Sequence, residues 1–168
     1  AVFLEMFEDY KAGNESAKPD TSSFNGTTSV ARHFDNSLCL VLLKAWAFSK
    51  EAEAPERAEQ ILQKMYELNE AEDFNVLPNV RTYTTLVMCH GLSKRPGSPQ
   101  RAEAIVRQMD ELHKAGRLTE GPNRRTFITL RKAWKFSRER NRKQAIAAID
   151  REMDERFGCN VPAKPTKT

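Results

Sequence analysis

The chain is poor in everything that staples, spans or reacts. Only three of its 168 residues are cysteine, and Cys39, Cys89 and Cys159 lie far apart. An odd, sparse set argues against a disulfide framework and for a reducing compartment. No cysteine or histidine pair has the spacing of a zinc site, so no metal or other cofactor is expected. The three histidines, His33, His90 and His113, belong to no Ser/His/Asp, Cys/His or paired-carboxylate constellation, and no enzymatic activity is expected. No apolar run approaches the roughly 18 residues that cross a bilayer, so no membrane insertion is expected. Glu5, Glu8 and Asp9 are out of place in a signal peptide.

Acidic residues are scarce in one place. Between Arg124 and Lys143 nine Lys and Arg stand against a single acid, Glu139. The halves of the chain differ accordingly. Residues 1–80 hold 7 Lys+Arg and 14 Asp+Glu, and residues 81–168 hold 20 and 9, so a net charge of −7 faces one of +11. Such asymmetry points to a polyanionic partner for the basic half.

What the chain has in plenty is itself. Leu42-Leu43-Lys44-Ala45-Trp46-Ala47-Phe48-Ser49-Lys50 returns as Leu130-Arg131-Lys132-Ala133-Trp134-Lys135-Phe136-Ser137-Arg138, 88 residues on. Midway lies a weaker copy, Leu86-Val87-Met88-Cys89-His90-Gly91-Leu92-Ser93-Lys94. Pro55-Glu56-Arg57-Ala58-Glu59 matches Pro99-Gln100-Arg101-Ala102-Glu103, and Met65, Met109 and Met153 keep the same 44-residue step. A period of this size marks a stacked array of one supersecondary unit.

Each unit reads as two helices. Ala102, Ile105, Val106, Met109 and Leu112 form one apolar face at helical spacing. Pro99 suits a first helical turn, and Ala115-Gly116 suits a helix end. Antiparallel pairs are expected at 36–50 with 55–71, 80–94 with 99–115, and 124–138 with 142–157. Ile61, Ile105 and Ile149, at equivalent positions, are expected in the core, as are the three methionines, Trp46 and Trp134. Units then run 36–79, 80–123 and 124–157. Met6, Ala12-Gly13 and Pro19-Asp20 mirror Met109, Ala115-Gly116 and Pro122-Asn123, so residues 1–20 are expected to supply the second helix of a partial preceding unit. Residues 21–35, rich in Ser, Thr, Gly and Asn, read as an inserted loop, and 158–168 as a flexible tail.

Local wording narrows the family. Asn79-Val80-Arg81-Thr82-Tyr83-Thr84-Thr85-Leu86-Val87 resembles the opening of a pentatricopeptide repeat, and Arg124-Arg125-Thr126-Phe127-Ile128-Thr129-Leu130 is a second copy. Ala102-Glu103-Ala104-Ile105 followed by Met109-Asp110-Glu111-Leu112 resembles that family's second helix. Pro19-Asp20, Pro78-Asn79 and Pro122-Asn123 resemble its closing dipeptide. The units here are longer than the family's, which run about 35 residues, with the surplus in the connections 94–99 and 116–121. The resemblance implies an all-α fold, a right-handed α-solenoid of stacked antiparallel helix pairs.

It also implies function. In the family, the fifth and last residues of a unit read a base edge and the second packs on base faces. Those positions here are Arg81, Thr84 and Asn123 in the unit beginning at Val80, and Arg125 and Ile128 in the next. Leu40 and Ile128 have no group with which to read a base edge. Arg125, Ile128, Lys132 and Lys135 share one helical face, with Arg124 beside them. The expectation is an RNA-binding protein of a mitochondrion or plastid. It would hold single-stranded or ribosomal RNA mainly by phosphates on a basic concave face, through Arg81, Thr84, Asn123, Arg124, Arg125, Lys132 and Lys135. The alternative is a helical-repeat scaffold among other protein subunits of a larger assembly.

Overall fold

The computed structural model describes residues 36–49, 51–70 and 76–158. The partial unit expected over 1–20, the loop over 21–35 and the tail beyond Gly158 lie outside the described residues. Within them the chain is all helical and no strand occurs. Six helices follow in order: α1 Asn36–Ser49, α2 Ala54–Glu70, α3 Val80–Ser93, α4 Ser98–Lys114, α5 Arg124–Lys135 and α6 Arg142–Phe157. None is long and apolar enough to cross a membrane. The odd-numbered helices start at 36, 80 and 124 and the even-numbered at 54, 98 and 142, so both series keep the 44-residue step.

Local chemistry sets the boundaries. Asn79 caps α3: its side chain accepts from the Arg81 and Thr82 amides at 3.0 and 3.2 Å, and Thr82 Oγ1 accepts from the Asn79 amide. Asn123 caps α5 through the Thr126 amide at 3.1 Å. Each such cap is worth about 1 kcal/mol. Pro55 and Pro99 fall in first turns, where the missing N–H has no helical partner to lose. One expectation is corrected: α5 stops at Lys135 rather than 138. Its last carbonyls are taken up locally, Lys132 O by the Phe136 amide and Trp134 O by both the Ser137 amide and Ser137 Oγ.

Each helix packs on its sequence neighbour, and the odd-numbered helices also pack on one another, α1 on α3 and α3 on α5. Thr84 meets Thr126 and Gly91 meets Ala133, so α3 and α5 run parallel and in step. One apolar core runs from Cys39 to Ile149. Ile61, Ile105 and Ile149 are 3%, 1% and 4% exposed. Trp134, Met65 and Met109 are buried, while Trp46 and Met153 are partly buried against the same cluster.

Polar ties join the units at intervals close to the repeat. Arg101 on α4 grips Glu59 on α2 through two nitrogens at 2.8 and 2.9 Å, and Arg156 on α6 grips Asp110 on α4 at 2.7 and 2.7 Å. Arg95 reaches back to the Ala52 carbonyl at 2.9 Å and to the Glu56 carboxylate. The third unit differs from the second on one flank. Val87 and Val106 are buried, yet their equivalents are Arg131 and Asp150, ion-paired at 2.6 Å. Gly91, pressed against Ala133, becomes the exposed Lys135.

Glu59 also meets His90 on α3, Oε1 to Nε2 at 2.9 Å. Burial holds the His90 imidazole below the usual histidine range, against the upward pull of the Glu59 and Glu56 carboxylates; Arg101 pushes the same way as burial. A histidine depressed in the fold binds its proton less readily than the unfolded chain does. Its contribution to stability is therefore complete above about pH 6.5 and is lost as pH falls below it. The urea midpoint is expected to drop between about pH 7.5 and about pH 5.5, and to drop less in His90→Gln. Equal drops in both proteins would remove His90 as the cause.

Candidate nucleic-acid interface

Helix α5 carries the densest positive charge, and its pattern follows from its packing. Thr126, Phe127, Leu130, Ala133 and Trp134 turn inward. Arg124, Arg125, Ile128, Lys132 and Lys135 are left exposed on the other side. Arg125, Ile128, Lys132 and Lys135 step by 3, 4 and 3, so they form one strip along the helix. Arg81 is exposed at the matching place on α3.

These cations have no carboxylate partner among the described residues, whereas Arg57, Arg95, Arg101, Arg107, Arg131 and Arg156 all do. Two of them stand where they are locally unfavourable. Arg124 and Arg125 occupy the first turn of α5, which has no acid, and the helix dipole there is positive. An anion would meet backbone dipole and guanidinium together.

The strip has a definite place in the fold. Ile128 and Lys135 are equivalent to Thr84 and Gly91, and on α3 those two residues face α5. The corresponding flank of α5 is covered by no other odd-numbered helix among the described residues. Arg124 and Arg125 begin it; the turn after α5 carries Arg138 and Arg140 and the first turn of α6 carries Lys143, all exposed and also without carboxylate partners among the described residues. Glu139, the one acid of the run, accepts from the Gly97 amide at 3.1 Å. Arg138, Arg140 and Lys143 were not expected as site residues, although the charge count between Arg124 and Lys143 contains them.

Thr84 and Asn123 come together, but through a third residue. Thr84 Oγ1 lies 2.8 Å from Thr126 Oγ1, which donates to Asn123 Oδ1 at 3.3 Å. Asn123 Oδ1 also caps α5. Both polar side chains thus hold α3 to α5 and begin α5. Thr84 is half-buried and Asn123 exposed. Ile128, 39% exposed, presents only hydrocarbon.

The two thiols among the described residues lie in the core. Cys39 and Cys89 are buried, and burial pushes the Cys89 thiol up to about 12. Cys159 lies outside the described residues. No protein-family model matches the chain, and comparison with curated proteins and with solved structures gives no match.

Proposed function

We propose that the chain is an RNA-binding helical-repeat protein of an organelle, similar to the pentatricopeptide family, with its helix pairs stacked as a right-handed solenoid. It contacts single-stranded RNA mainly through phosphates along α5, from Arg124 to Lys135, with Arg81 and the following turn adding to the track. One observation carries this reading: the cations of this strip share one exposed face and are left without carboxylates among the described residues, while six other arginines, Arg131 of α5 among them, are paired. Phosphate contacts of this kind release counterions and bind with strong salt dependence. Sequence readout is a minor part, because Thr84 and Asn123 are already engaged with Thr126.

Changing Arg125, Lys132 and Lys135 together to Gln is expected to weaken binding of a fluorescent oligouridylate at low salt. It should also reduce the log–log salt slope by up to about 0.7 per lost contact on a single strand. Thr84→Ala should leave that slope alone. The second reading, a scaffold subunit among other proteins, draws support from those same engaged side chains. It expects weak and equal RNA binding by wild type and triple variant, and loss of the variant from a larger assembly. Equal, weak binding would sink the RNA reading.

A further inference from the structure

One repeated pattern is not used by the RNA reading. Phe48-Ser49 and Leu92-Ser93 end α1 and α3, Phe136-Ser137 directly follows α5, and each pair is followed by a cation, Lys50, Lys94 or Arg138. The fold explains the serines. Each Oγ donates to the carbonyl three residues back, at 2.8, 2.7 and 2.8 Å, and helps end its helix. The residue before each serine is a different matter. Phe48, Leu92 and Phe136 are large, apolar and 63%, 41% and 59% exposed. A missing neighbour does not account for this, because α3 is flanked by α1 and α5 and still leaves Leu92 open.

The three side chains share an edge. Helices α3 and α5 are parallel and in step, and the turns that follow the odd-numbered helices are tied together, Arg95 to the Ala52 carbonyl and the Gly97 amide to Glu139. Adjacent packed helices lie about 8–10 Å apart, so residues at equivalent places near the ends of α1, α3 and α5 are expected in a row at about that spacing.

The cations beside the row are also unexplained by the fold. Lys94 has φ 52, the left-handed conformation that ends a helix and that favours glycine. A lysine there is strained, and its side chain is exposed. Arg138 is exposed with no carboxylate partner among the described residues. Lys50 lies outside the described residues.

We infer that this edge, the apolar row of Phe48, Leu92 and Phe136 with Lys94 and Arg138 beside it, is a docking surface for an acidic amphipathic helix of a partner protein. Two observations select that partner. Seven residues of α-helix advance about 10 Å, so apolar groups every two turns match the row, while acidic residues beside them meet the cations. Leu92, at the centre, has no aromatic face on which a base could stack, which disfavours a single nucleic-acid strand. The inference does not depend on the RNA reading, but the two surfaces meet at α5: Lys135 Nζ lies 5.7 Å over the Phe136 ring and Arg138 is shared with the proposed RNA track. The discriminating residues are therefore Leu92 and Lys94, on and beside α3.

The test uses the full chain and three probes. One is a labelled synthetic helix with Leu at every seventh position, flanked by Glu. The others are the same composition scrambled and an oligouridylate. The patterned peptide is expected to bind saturably and to shift backbone amide resonances around Phe48, Leu92 and Phe136. Leu92→Glu should weaken it by about tenfold or more. Lys94→Gly separates structure from recognition: it should raise Tm by relieving the left-handed strain, yet weaken the peptide severalfold. A gain in Tm with unchanged peptide affinity overturns the proposal. So does equal binding of the scrambled peptide, absence of binding by the patterned one, or oligouridylate binding that Leu92→Glu weakens as much as it weakens the peptide.

Discussion

Ile105→Ala is expected to lower the unfolding free energy by about 2–5 kcal/mol, the usual cost of truncating a large buried aliphatic residue. Ile105 is 1% exposed on α4, and α4 packs against both α3 and α5. Its neighbours on the same face, Ala102, Val106 and Met109, are also buried, so little around it can relax into the space. Ile149 makes the informative comparison. It holds the equivalent place on α6, but it is that helix's one buried residue, and Ala145, Ile146 and Met153 beside it are only partly covered. A looser surround collapses more easily, so Ile149→Ala should cost clearly less than Ile105→Ala. Urea unfolding followed by far-ultraviolet circular dichroism reads both. A loss under about 0.5 kcal/mol for Ile105→Ala would show that the stacking face is misassigned.

Gly91→Val should be nearly as damaging, for the opposite reason. A Cβ added at Gly91 would stand 2.8 Å from Ala133 Cβ and 3.1 Å from Ala133 Cα. Neither atom can rotate aside, since one is backbone and the other is bonded directly to it. Helices α3 and α5 would have to separate, straining the Thr84–Thr126 bond. Overpacking of this kind costs about 1–3 kcal/mol, and the loss of backbone freedom in the unfolded state on replacing glycine offsets part of it. The cause is checked by a double-mutant cycle. Ala133→Gly should recover stability in the Gly91→Val background, with a coupling above about 0.5 kcal/mol. Simple additivity would place the damage elsewhere.

The 44-residue step carried most of the architecture, because helix boundaries are set by local groups that repeat with it. Asn79 and Asn123 cap, Pro55 and Pro99 open, and Ala115-Gly116 closes, with the Arg117 amide turned back to the Leu112 carbonyl. Burial of Ile61, Ile105 and Ile149 was legible for the same reason. What the letters left open were relations between side chains far apart in sequence. Whether Thr84 keeps a free hydroxyl depends on Thr126, 42 residues away. Whether Arg101 is available depends on Glu59. An apolar letter at the end of a helix is also ambiguous: Phe136 reads like core, yet α5 stops just before it and leaves it open. The α5 strip was visible as charge, but its position on the flank that α3 buries is known from the contacts of Thr84 with Thr126 and of Gly91 with Ala133.

The polar ties between units have a mechanical corollary. None that joins described residues spans more than 46 positions, the reach of Arg156 to Asp110. Nothing in that network clasps α1 to α6, so tension applied at the two ends would not be shared by the whole body. It would concentrate on the outermost pair, and the molecule should peel in steps of one pair, each releasing about 44 residues of slack. Optical tweezers would record a staircase rather than a single rip. The weakest step belongs to α6, which buries only Ile149 fully and otherwise holds by partly covered side chains and the Asp150 and Arg156 ion pairs.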